Sequence, residues 1–137
     1  MEEWVFVDTC VWASFFGKPS SPEKVAVDDL LDADRVALVG PIVAEVLVGF
    51  RRKDQADWVA SRLRLAHYVE AGWEDWRAAA DLGRDLAARG DKLPLTDVLV
   101  AVVAKRSIAR VYTTDPHFDS IPDLRRYRPD QPGGLKS

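Results

Sequence analysis

The chain has little of the residues that carry most non-acidic chemistry: one cysteine and two histidines among 137 residues. A lone Cys10 excludes an intrachain disulfide and any multi-cysteine metal site. It reads as a small buried residue suited to a reducing cytoplasm. No apolar run approaches the roughly 18 residues of a membrane span. Glycine-rich phosphate loops and Cys–His pairings are missing as motifs. Nor is there an excess of charge of one sign: 19 Lys plus Arg against 22 Asp plus Glu gives a net charge of -3. The totals therefore do not point to nucleic acid, although a basic rim can coexist with an acidic centre. The opening Met1-Glu2-Glu3 lacks the positive charge of a secretory signal, so a cytoplasmic location is expected.

What is present is ordinary globular material. A composition of 47% hydrophobic and 30% charged residues argues for a packed core and against wholesale disorder. The length suits a single domain. Residues 1–130 are expected to form it, with 131–137 as a mobile tail.

Strands alternate with helices along the chain. "EWVFVD" reads as a strand buried on both faces, and "TCVWASFFG" as a short helix stopped by Gly17. The next helix starts either on a Ser20–Glu23 capping box or on a Ser21 N-cap before Pro22, and runs to about Asp32 with Val27, Leu30 and Leu31 inward. "RVALV" is a second strand, "PIVAEVLVGFRRK" a helix, Asp54 to Leu65 another, and "AHYVEA" a weak strand containing a structural His67. A long helix stops at Gly90, and "LTDVLVAVVAKRS" is the most apolar helix of all. "ARVYTTD" ends as a strand before Pro116, and "LRRYRP" is a possible edge strand. Trp12 and Trp76 read as packing residues. This order predicts an α/β fold, a three-layer α/β/α sandwich around a mainly parallel sheet.

In such sheets, functional groups gather beyond the carboxyl ends of the strands. Asp8 ends the first strand and Asp115 the last long one. Glu45 and Asp97 are set in very apolar helices. Each has a plainer reading. Asp97 can complement a helix dipole, with Thr96 as an alternative cap; Glu45 can face solvent; Asp115 can be a turn residue. Asp8 is the hardest to explain away, because a carboxylate at a buried strand end needs a partner. Four carboxylates brought together would raise one another's pKa values unless a cation neutralised them. Oxygen donors favour a hard ion, Mg²⁺ or Mn²⁺. Thr9 and Thr114 can orient carboxylates or waters around it. The chemistry this favours is metal-assisted phosphodiester hydrolysis, with one ion or a pair about 4 Å apart. His117 reads as a loop residue near this rim.

Four motifs in order, "VFVDTCVW", "PIVAEVLVGF", "LPLTDVLVAVVA" and "VYTTDPHFDSI", resemble the PIN-domain nucleases, most closely the VapC-type toxins. The resemblance spans about Val5 to Arg128. It implies a PIN-like fold and a Mg²⁺- or Mn²⁺-dependent endoribonuclease whose acidic quartet is Asp8, Glu45, Asp97 and Asp115. It also implies hydroxyls at Thr9 and Thr114 and an accessory acid at Asp119. The implied partners are an RNA substrate, a cognate VapB-type antitoxin lying across the site, and a second copy in a homodimer, with toxin–antitoxin hetero-oligomers and no membrane. Arg51, Arg52 and Lys53 are candidates for RNA or antitoxin contacts; their plainer reading is a solvated helix end. Two other classes are weaker. An aspartyl-phosphate phosphatase needs a second aspartate two residues after the first, where Cys10 stands. A non-catalytic binding module on the same fold would have little use for four intact carboxylates.

Overall fold

Short strands buried on both faces need helical crossovers to run parallel, and the chain supplies them. The computed structural model describes residues 2–129; the tail expected at 131–137 lies outside them. The elements are β1 (Val5–Val7), α1 (Thr9–Gly17), α2 (Pro22–Asp32), β2 (Val36–Leu38), α3 (Gly40–Val48) and α4 (Lys53–Leu63). They continue with β3 (His67–Tyr68), α5 (Trp73–Ala88), α6 (Leu95–Arg106), β4 (Arg110–Tyr112) and a 3₁₀ turn at Pro116–Ser120. The sheet order is β3-β2-β1-β4, every pair parallel, with helices completing an α/β/α sandwich. The central register sets Val7 beside Tyr112 and Val5 beside both Val36 and Arg110. β1, β2 and β4 are wholly buried, and α6 packs its Val98–Ala101 stretch against this core.

Several expectations are corrected. The helix read through "FRRK" stops at Val48, because Gly49 and Phe50 turn back with i→i−3 bonds to Val46 and Leu47. Arg52 then caps α4, so Lys53 lies at a helix start, where a cation does not complement the dipole. Ser21 is the α2 cap, accepting the Lys24 N–H. Leu31, 38% exposed, and Trp76, 45% exposed, are not core residues. The "LRRYRP" edge shrinks to one bridge, Val111 with Arg126. Side chains hold this segment more than a ladder does: Arg125 pairs with Glu3, and Arg126 with Asp119 and the Thr113 carbonyl. His67 is structural, stacked on Trp4 at 4.4 Å.

At the opposite end of α6 from Asp97, Arg106 clamps α5 by a bidentate pair to buried Asp75 at 2.6 and 2.8 Å. The guanidinium holds the Asp75 carboxyl below its usual range. Asp75 also accepts the Gly72 N–H, tying down the start of α5.

Candidate active site

Parallel pairing of β1 with β4 brings their carboxyl ends to one rim, and α6 starts there. Asp8 is the residue before α1, yet its carboxylate makes no capping bond. It is 5% exposed, and its Oδ2 accepts the hydroxyl of buried Thr113 at 2.8 Å and the Cys10 thiol at 3.4 Å. Across the groove, the Thr9 hydroxyl donates to Glu45 Oε1 at 3.0 Å, which joins α1 to α3. Glu45 is exposed, as its plainer reading held, and the Thr9 bond is what ties its carboxylate to the rim.

Asp97 occupies the third position of α6. Pro94 stands at the cap, so neither Asp97 nor Thr96 caps the helix. Asp115 accepts the His117 N–H at 2.9 Å and so does shape a turn, as its plainer reading held. Its own N–H donates to Thr113 Oγ1 at 3.0 Å. One donor atom each from Asp97, Asp115 and His117 lie within 4.8 Å of one another. His117 Nδ1 stands 3.3 Å from Asp115 Oδ1 and 3.9 Å from Asp97 Oδ2.

The electrostatics record the same convergence. Burial pushes the Asp97 carboxyl up to about 6, reinforced by the charges of Asp8, Asp115 and Glu45 and opposed by His117. A carboxyl crowded in this way is relieved by a cation, and the oxygen-rich donor set suits a hard one. The residues present therefore fit a divalent ion.

The remaining expected residues are placed differently. Thr114 is exposed and directs its hydroxyl to the Cys10 sulfur at 3.4 Å; Asp119 pairs outward with Arg126 at 2.9 Å. Arg52 is engaged by Asp54 and Lys53 by Asp57, whereas Arg51 has no acidic partner among the described residues. Sequence reasoning missed Thr113 and set His117 aside. Thr113 follows from register: with Val7 beside Tyr112, Asp8 falls beside Thr113. His117 is two residues beyond Asp115, within reach of the carboxylate that caps its turn.

The PIN domain family profile matches residues 5–124, and the chain belongs to the PIN-domain family. No curated protein sequence matches it. Solved structures share the fold at low identity. VapBC2 of Rickettsia felis, bound to a promoter DNA fragment, aligns with a TM-score of 0.75 at 18% identity over 89% of this chain and 96% of that one. FitAcB of Neisseria gonorrhoeae gives 0.73 at 20% identity over 91% and 97%. VapC20 of Mycobacterium tuberculosis, a sarcin–ricin loop cleaving toxin, gives 0.63 at 16% identity over 86% and 95%. The fold is thus shared with these structures. Among the described residues no helix is long and apolar enough to cross a membrane.

Proposed function

We propose that the chain is a metal-dependent endoribonuclease, the VapC-type toxin of a toxin–antitoxin pair acting in the cytoplasm. The observation that carries this reading is the acidic rim at the strand ends. Donor atoms of Asp97, Asp115 and His117 lie within 4.8 Å of one another, and the charges of Asp8, Asp115 and Glu45 add to the burial that pushes Asp97 up to about 6. Asp8, Asp97 and Asp115, with Glu45 across the groove, would hold Mg²⁺ or Mn²⁺. The bound ion would supply Lewis acidity toward the phosphodiester and activate water at neutral pH.

The chain's own groups prepare that site. Thr113 and Cys10 fix the Asp8 carboxylate, and Thr9 orients Glu45. His117 sets its Nδ1 3.3 Å from Asp115 Oδ1, on the same rim. Asp119, tied to Arg126, would position the segment after β4 as an accessory residue. A VapB-type antitoxin would cover the groove, and two copies of the chain would pair as a homodimer. Arg51, without an acidic partner among the described residues, is the readiest of the three basic residues to meet an RNA phosphate; Arg52 and Lys53 would first have to leave Asp54 and Asp57.

Purified, antitoxin-free protein should cleave structured RNA with Mg²⁺ or Mn²⁺ and stop on chelation. Asp8→Asn and Asp97→Asn should abolish cleavage while circular dichroism shows a retained fold. Full activity in either variant would overturn the assignment.

A further inference from the structure

A cavity of about 320 Å³ opens beside the carboxylates, between α1 and the end of α3. Its lining includes Thr9 and Glu45 together with Ala13, Phe16, Gly17 and Phe50. The Phe16 and Phe50 rings meet edge to face at 5.5 Å. Behind them Trp12 stacks on Phe16 at 5.9 Å, which holds the aromatic wall in place. At Gly17 a Cβ would meet nothing within 4 Å, so the lip is open. The volume lies at the lower end of small-molecule sites, about 300 Å³ and upward.

We propose that this cavity receives the nucleobase of a nucleotide adjoining the scissile phosphate, its face on one of the two perpendicular rings, Phe16 and Phe50, and its edge toward the other. The inference rests on the ribonuclease reading. A phosphodiester held at the carboxylates has a base within one nucleotide's reach on each side. The recess described above shares Thr9 and Glu45 with the site. Splayed bases of single-stranded RNA bind to aromatic side chains in this way, and stacking tolerates any base while ranking them. The cavity thus becomes a determinant of cleavage position that the acidic centre cannot supply.

The test scans 2-aminopurine along a short single-stranded RNA. Binding is followed by its fluorescence without metal, and cleavage with Mn²⁺. Wild-type protein should quench one position strongly. Phe50→Leu, which removes the ring, and Ala13→Phe, which fills the cavity from an exposed position of α1, should both lose the quench. Both should raise KM roughly tenfold or more with a smaller change in kcat. An abasic nucleotide at the quenched position should raise the wild-type KM equally and erase the difference between the proteins. Equal KM for abasic and intact RNA, or wild-type KM in both variants, would overturn the proposal and leave the cavity to an apolar side chain of a protein partner. If the wild type cleaves nothing, the ribonuclease reading fails, while the metal-free fluorescence still decides whether the cavity holds a base.

Discussion

The hydroxyl of Thr113 donates to Asp8 Oδ2 at 2.8 Å, while the same oxygen accepts the Asp115 N–H at 3.0 Å. One buried side chain therefore sets the spacing of two strand-end acids. Among the described residues the other side-chain donor to Asp8 is the Cys10 thiol, a weak one.

Replacing Thr113 with the nearly isosteric valine should consequently expose the dependence. The Asp8 carboxylate would lose its strong donor in a buried site, costing about 1–3 kcal/mol of stability in urea unfolding. Cleavage should fall about 10- to 100-fold, as for other groups that orient metal-ligating carboxylates. Thr113→Ser should retain most of both. A Thr113→Val protein as active as wild type would show that Asp8 needs no such anchor.

Asp97 leads to a prediction of opposite sign for stability. Its carboxyl titrates near 3.8 in the unfolded chain and is pushed up to about 6 in the metal-free fold. The folded state therefore binds the proton more tightly. There is no penalty below about pH 3.8; it grows between 3.8 and 6 and is complete above 6. The gap is worth at most about 3 kcal/mol. Metal-free Asp97→Asn should then be more stable than wild type at pH 8 by up to that amount. The two should converge toward pH 4, and the variant should be inactive. Urea unfolding of both proteins across pH 4–8 measures this directly; equal stability at pH 8 would contradict the electrostatic reading. The site would thus exemplify residues kept for function at a cost in folding.

How much of this was visible in the sequence depends on the range of the interaction. Asp8, Glu45 and Asp97 stood out because each breaks or closes an apolar run, and Asp115 because it ends a strand before Pro116, all local signals. The order of strands and helices was legible for the same reason, since "WVFV" and "VLVAVVA" advertise buried elements. Thr113 was not legible, because choosing it over Thr114 requires the β1–β4 register, a pairing of residues 105 positions apart. The break after Val48 was hidden as well. Apolar periodicity continues through Phe50, but the Gly49 turn ends the helix. For Arg51, Arg52 and Lys53 the sequence supplied charge without occupancy, and only geometry shows that Asp54 and Asp57 engage two of the three.

A last prediction concerns the end of α6, away from the chemistry. Ile108 adopts φ 52°, the left-handed region, with its side chain 70% exposed. It sits at the residue after the helix cap, where its N–H donates to Lys105 O at 3.1 Å and the following Ala109 N–H to Ala104 O at 2.9 Å. That pair of bonds defines the terminator in which glycine is preferred, and a β-branched residue there is strained by roughly 1–2 kcal/mol. Glycine removes the strain but gives back up to about 1 kcal/mol through the greater freedom of its unfolded chain. Ile108→Gly should therefore be more stable than wild type by about 0.5–1 kcal/mol in urea unfolding. Ile108→Val, equally branched, should show no gain. A glycine variant no more stable than wild type would mean that exposed Ile108 makes favourable contacts that outweigh its backbone strain.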